Sequence, residues 1–582
     1  MKRTSSFLLT LLLLSVTAAF GQNQKPSEIA ITRADLAKVG STVPVSALGE
    51  AAGSVKLYEP RWVDATENAP AYGVVEGSIF PVDPNGWPIN FRVLLPASWS
   101  QRAIHQGGGG MNGSITVREG RNPALAKGFA LYGSDSGHQA AGFGGPQVKP
   151  LAAGPTSGDE WALNDEAVVN IGYAQLKKTH DAAMVIMERV YGKRPMFNYY
   201  VGNSHGGRES LTVAQRYPGD YNGIISNVPI VNFSSLMLAP ELIRIQEKPL
   251  KNWVTPAKVN AVRAEFLRQC DELDGLADGI INNYMAAREI FNVNDGKGTT
   301  DPWAALRVPG NIDPDPENKT ETAKLTNEQI KTMEFVYSTY KFATPLANGV
   351  KGFGMWLPTI EPDGFGMIAG QRFAGQEGAP ENARNHGSLG TLGVTGFLMQ
   401  DLKANPLDYV EGGKWNKRRE QISEWLDSTN PDLAAFYKKG GKMIVTIGCM
   451  DNIASPGAQL DYYQSLLDKM GRETIDKFAR LYVVPQGGHG LAGRSYSKNG
   501  RGEAIAVKNV PGPNGDDNLN LLLNWVENNQ APAKTLVVNQ QGRISDKKEG
   551  MGYLLCSYPE YPKYTGGPAD EAGSYVSAGE KE

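Results

Sequence analysis

Two apolar rhythms alternate along this chain. Gly73–Phe80, Ile89–Leu95 and Phe129–Tyr132 are short runs rich in β-branched and aromatic residues, bounded by turn formers, and each predicts a strand. Ala167, Ile171, Ala174, Ala183, Ile186 and Val190 recur at three- and four-residue spacing and predict one helix over Asn164–Tyr191, stopped by Gly192 and Pro195. Phe197–Val201 reads as a strand, Gly206–Arg216 as a helix and Tyr221–Ser226 as a strand. From about 231 to 438 helical segments mix with Gly/Pro-rich stretches and aromatics such as Trp303, Trp356, Phe365, Phe373 and Phe397. The first rhythm resumes at Lys442–Ile447 and Ala479–Val484. Strand–helix alternation of this kind predicts an α/β fold with a mostly parallel sheet covered by helices. The core spans 22–230 and 439–562, and 231–438 is an inserted domain. The polar, Gly-rich stretch 563–582 predicts a disordered tail.

Composition narrows the class. The chain has 582 residues, 41% hydrophobic and 20% charged, with a net charge of −3, and so lacks the basic excess that nucleic-acid binding needs. Lys2 and Arg3, the apolar run Phe7–Val16 and the small-x-small Ala19-Phe20-Gly21 form a cleavable signal peptide over 1–21. The mature protein is therefore expected to be secreted or periplasmic. No later run is long enough for a membrane anchor, and no early cysteine could carry a lipid. Only Cys270, Cys449 and Cys556 occur, which permits one disulfide at most. Nothing in the sequence fixes an oligomeric state.

Chemistry enters at Gly202-Asn-Ser-His-Gly206, between a predicted strand and a predicted helix. That context makes G-x-S-x-G a nucleophile elbow, with Ser204 pushed out above the sheet. A serine needs a base, and the base needs an acid. His489 lies in the glycine-flanked loop after the strand ending at Val484. Asp451 lies just past the strand ending at Ile447, between serine and histidine in chain order. His180 falls inside a helix, and the His205 side chain follows the nucleophile too closely to act as base. The His205 backbone N–H is instead a candidate oxyanion donor, with a second from Gly107-Gly-Gly-Gly-Met-Asn-Gly113, at Gly109 or Gly110. In the insertion, Cys270-Asp-Glu-Leu-Asp-Gly-Leu-Ala-Asp-Gly-Ile280 gathers three aspartates and two glycines in an oxygen-rich loop suited to Ca²⁺. Its spacing is not that of an EF-hand, and by spacing alone a solvated acidic turn serves equally well.

Taken together, Gly107–Gly113, Tyr191-Gly-Lys-Arg-Pro195, Gly202–Arg208, Ala214-Gln-Arg-Tyr-Pro218, Cys270–Ile280 and Pro485–His489 resemble the tannase/feruloyl esterase family over about 55–565. The resemblance implies an α/β-hydrolase fold with a large inserted lid domain. It also implies a serine carboxylic ester hydrolase acting on aromatic esters of feruloyl, galloyl or terephthaloyl type, with no organic cofactor. Asp271, Asp274 and Asp278 would hold a structural lid Ca²⁺ by their side chains, and Leu276 and Ile280 by their carbonyls. The family's disulfide between the residue before the nucleophile and the one after the histidine is lost, since Asn203 and Gly490 stand there. The elbow should then hold its shape by packing alone. Two other readings compete: a serine peptidase on the same fold, and a non-catalytic protein that binds aromatics or glycans.

Overall fold

The computed structural model describes residues 27–579 except 68, 121, 140–150, 155–157, 296–300, 317–323, 359–371, 384–389, 391 and 546–550. The signal segment 1–21 lies outside the described residues, as does Phe365.

A 13-stranded mixed sheet forms the centre. In chain order its strands are β1 (Ser54–Leu57), β2 (Arg61–Val63), β3 (Tyr72–Phe80), β4 (Ile89–Pro96), β5 (Arg102–Gln106), β6 (Phe129–Ser134) and β7 (Phe197–Asn203). They continue as β8 (Gly223–Asn227), β9 (Lys442–Gly448), β10 (Ala479–Val484), β11 (Thr535–Val538), β12 (Ile544–Ser545) and β13 (Tyr553–Ser557). The spatial order is 12-11-13-10-9-8-7-5-6-4-3-1, with β2 on β3. The central block 10-9-8-7-5-6 is parallel and both flanks are antiparallel. This is an α/β-hydrolase fold.

Residues of the parallel strands alternate between two apolar layers, as a two-residue period demands. Tyr200, Ile224, Met443, Val445 and Leu481 join one, and Tyr199, Ile225, Ile444 and Tyr482 the other. Both layers are covered, which explains the nearly unbroken hydrophobicity of β8–β10. The helix predicted over Asn164–Tyr191 is present with a defect: Asp165–Val169 is α, Asn170–Ala174 a π turn, and α1 (Gln175–Tyr191) is regular and ends at left-handed Gly192. α2 (His205–Arg216) follows β7 directly.

Between β8 and β9 the chain forms α3 (Phe233–Gln246), α4 (Pro256–Cys270), α5 (Asn327–Tyr337) and α6 (Asn416–Leu426). The apolar interior of this stretch is continuous with the layer beneath α2. The insertion's aromatics Trp303, Trp356, Phe373 and Phe397 are at most 6% exposed and belong to the interior. After β9 come α7 (Pro456–Met470) and α8 (Gly515–Asn528).

The tail corrects the expectation of disorder. β14 (Tyr561–Tyr564) and β15 (Tyr575–Ala578) pair as an antiparallel hairpin, and Tyr575 packs with Val537 and Leu554. Tyr564 and Tyr575, opposite each other across the hairpin, supply the apolar contact that the window's average polarity concealed.

Candidate active site

Three loops at the carboxyl ends of the parallel strands β7, β9 and β10 meet here. Ser204 ends β7 with φ 60° and ψ −117°, a left-handed conformation that a serine adopts only when its surroundings impose it. Glycines on either side make the turn possible: a Cβ on Gly202 would lie 2.1 Å from the Gly206 carbonyl oxygen, and one on Gly206 2.7 Å from that of Gly108. The Ser204 N–H donates to the Asn227 carbonyl at 2.9 Å, and Ser204 O accepts from Arg208 N at 3.0 Å, which anchors the turn to β8 and α2.

Ser204 Oγ lies 2.8 Å from His489 Nε2, and His489 Nδ1 lies 2.9 and 3.0 Å from the two Asp451 carboxylate oxygens. The Asp451 side chain is fully buried, and its Oδ1 accepts the N–H groups of Ile453 and Ala454 at 2.8 and 2.9 Å. The acid and histidine loops are tied by Met450 N–H to Gly487 O at 2.9 Å. The three residues singled out from the sequence thus come together in hydrogen-bonding order.

The glycine run leaves β5 and leans on the start of α2. Gly107 N–H reaches Val201 O at 3.0 Å, Gly206 N–H reaches Gly108 O at 3.0 Å, and Gly108 N–H is taken by Glu209 Oε2 at 2.8 Å. Gly108 is therefore already engaged. Neither the Gly109 nor the Gly110 N–H has an intramolecular acceptor among the described residues.

The His205 side chain is sealed inside, with Nε2 3.2 Å from Arg208 and 3.3 Å from Glu209, well suited to packing and closed to proton transfer with a ligand. Burial and then the Arg208 charge lower its pKa. His105 is likewise buried, bonded to the Tyr221 hydroxyl, and pushed down to about 3 by burial. Asn203 does more than pack: its Oδ1 accepts from Asn227 Nδ2 at 2.8 Å, so a cross-strand hydrogen bond stands beside the elbow. All three cysteines are buried, and none forms a disulfide among the described residues.

Sequence reading overlooked Glu209, Arg208, Tyr200 and Gln175. The available signal was a charged pair on the first turns of α2, four and five residues past the nucleophile, where a helix packed on both sides has no room for solvated charge.

The acidic loop follows α4. Asp271 and Asp274 are fully buried and Asp278 nearly so. Asp271 accepts from Gly279 N and Gly500 N at 2.8 and 2.7 Å, and Asp274 from Leu276 N at 3.0 Å. Asp278 pairs with Lys508 Nζ at 3.1 Å. Burial raises all three, Asp271 to about 6 and Asp274 to about 7. As a donor set, buried carboxylates with adjacent carbonyls fit a hard divalent cation. Among the described residues the tightest group of potential ligands lies elsewhere, at His180, Asp181 and Asp220. There Lys177 Nζ already supplies the cation, at 2.8 and 2.9 Å from the two carboxylates.

The comparisons agree with this architecture. The sequence model of the family described as tannase and feruloyl esterase matches residues 73–578. An uncharacterized esterase of Agrobacterium fabrum is 30% identical, covering 90% of this chain and 89% of its own. Mono(2-hydroxyethyl) terephthalate hydrolase of Piscinibacter sakaiensis is 26% identical, covering 83% and 80%. Feruloyl esterase B from Aspergillus oryzae superposes with a TM-score of 0.67 at 21% identity, covering 90% and 97%, and shares the fold. The chain belongs to the tannase and feruloyl esterase family and is a carboxylic ester hydrolase.

Proposed function

We propose that this member of the tannase and feruloyl esterase family hydrolyses esters of aromatic acids through a triad of Ser204, His489 and Asp451. The observation that carries the reading is the unbroken sequence of contacts from Ser204 Oγ through His489 to Asp451 on a strained elbow. Asp451, fixed by two backbone N–H groups, holds the imidazole with its proton on Nδ1. Nε2 is then free to take the serine proton. Ser204 Oγ attacks the ester carbonyl, and the negative oxygen is held by the His205 N–H and by that of Gly109 or Gly110. The alcohol departs with the proton from His489. Water then gives its proton to His489 and its hydroxyl to the acyl group, which frees the acid and restores Ser204.

The aromatic acyl preference rests on relatives named feruloyl esterase and mono(2-hydroxyethyl) terephthalate hydrolase. Export rests on the N-terminal pattern of residues 1–21; no helix among the described residues is long and apolar enough to cross a membrane. A structural Ca²⁺ would be held by Asp271, Asp274 and Asp278 with the Leu276 and Ile280 carbonyls. It would neutralise buried carboxylates and take no part in the reaction.

The test combines covalent labelling with a substrate panel. Wild type should react with a fluorophosphonate probe, and Ser204→Ala should neither label nor hydrolyse esters. Methyl ferulate, methyl gallate and mono(2-hydroxyethyl) terephthalate should be cleaved with higher kcat/KM than p-nitrophenyl acetate. Wild type that fails to label, or Ser204→Ala that retains hydrolysis, overturns the triad; a preference for the acetyl ester overturns the aromatic assignment alone.

A further inference from the structure

A carboxylate buried beside a site that must accumulate negative charge needs a reason to be there. Glu209 is 1% exposed and lies one helical turn past His205. Each of its oxygens is committed. Oε2 accepts Gly108 N–H at 2.8 Å and the Tyr200 hydroxyl at 2.8 Å, while Oε1 accepts Gln175 Nε2 at 2.9 Å and lies 3.3 Å from His205 Nε2. Burial alone would raise its pKa, yet His205, Arg208 and the Gly108 N–H together bring it to about 2, so it is ionised at neutral pH.

We propose that Glu209 is a positioning residue that fixes the glycine loop carrying the second oxyanion donor. The plane between Gly107 and Gly108 is fixed by its N–H on Glu209, and the plane between Gly108 and Gly109 by its carbonyl on Gly206 N–H. The Gly109 N–H belongs to that second plane, so it keeps no rotation of its own. Glycine at 107 is needed for the close approach: a Cβ there would lie 2.7 Å from Gly206 Cα and 3.0 Å from Glu209 Oε2, and one on Gly108 would lie 2.6 Å from the Asn112 side chain. The same absence of side chains leaves the run without steric control over its planes. Glu209 supplies that control from the helix that also presents the His205 N–H, so both donors are referred to one rigid element. An acceptor is required at this point, because an N–H turned toward the packed side of α2 and left without one favours another orientation of the plane.

This inference rests on the serine-esterase reading, so each measurement includes wild type and Ser204→Ala. Two variants of nearly equal volume separate acceptor from bulk. Glu209→Gln keeps an oxygen for Gly108 N–H and Tyr200; Glu209→Met keeps the shape and offers none. Folding is checked by circular dichroism and thermal melting. Loss of one oxyanion donor costs about 10²–10³ in kcat, and a misaligned donor costs part of that. Glu209→Met should therefore lose about 30-fold or more in kcat and in the fluorophosphonate labelling rate, with KM within about threefold of wild type. Glu209→Gln should stay within about fivefold on both. The proposal is overturned by a folded Glu209→Met with near-wild-type kcat, or by a loss that falls on KM instead. Should Glu209→Met not fold, Glu209→Gln decides alone, and a loss beyond about tenfold in the folded protein overturns the proposal. If wild type itself neither labels nor hydrolyses esters, the triad has failed, and that result is distinct from these.

Discussion

Single residues at this site hold conformations and charge states that they would not hold in water. Ser204 keeps a left-handed backbone because hydrogen bonds from two elements close around it. Glu209 stays ionised in the interior because its neighbours outweigh its burial. A carboxylate whose folded pKa, about 2, lies below its ordinary value of 4.5 stabilises the fold at every pH above 4.5. That contribution is lost as pH falls from 4.5 toward 2. Urea unfolding followed from pH 7 to 2.5 should show the midpoint dropping through this window. Glu209→Gln, with no proton to gain there, should flatten that part of the curve. Equal slopes in the two proteins would assign the acid sensitivity to other carboxylates.

Elements were legible in proportion to how local their causes are. The ends of β3, β4, β9 and β10 fall within two residues of where apolar spacing predicts, because those strands bury every other residue or nearly all. The elbow, Asp451 and His489 were legible for a related reason: each sits just past a readable strand. β5 was missed because Arg102-Ala-Ile-His-Gln106 looks polar, yet it lies between β6 and β7 and buries His105 against Tyr221. The Glu209 cluster was missed because its partners lie 9, 34 and 101 residues away in the chain. The π turn at Asn170–Ala174 is another non-local feature. Its wider turn leaves the Ile171 and Gly172 carbonyls facing α2, where the fully buried Arg208 guanidinium takes them at 2.8 and 2.7 Å and adds Leu426 O at 3.0 Å. Three carbonyls from two segments suit a planar fork and defeat a single ammonium. Arg208→Lys should therefore destabilise the fold by about 2–4 kcal/mol in equilibrium urea unfolding. A loss below about 0.5 kcal/mol would mean that water takes over the carbonyls and that Arg208 is not the pin of this turn.

At the scale of the whole molecule, the acidic loop is where the inserted domain is fastened to the end of the core. Asp271, at the foot of α4, is held by Gly500 N–H, and Asp278 by Lys508, both far along the chain past His489. Gly275, at the loop's left-handed turn, lies against the β14 carbonyl of Tyr564, which makes the C-terminal hairpin part of the same junction. Three buried carboxylates at a seam repel one another, and a lone Lys508, itself one-third exposed, is a weak answer to them. A bound Ca²⁺ would bind the folded seam and not the unfolded chain, so at 100 times its Kd it would add about 2.7 kcal/mol. Chelation should lower the Tm by several degrees, and Ca²⁺ in excess of the chelator should restore it where Mg²⁺ does so poorly. Asp274→Asn should lower the Tm in calcium and remove most of the response to chelation, without changing KM for a small ester, since the loop belongs to the junction and not to the reacting atoms. An unchanged Tm on chelation, with no calcium by metal analysis, would leave Lys508 and the loop's own N–H groups as the counter-charges.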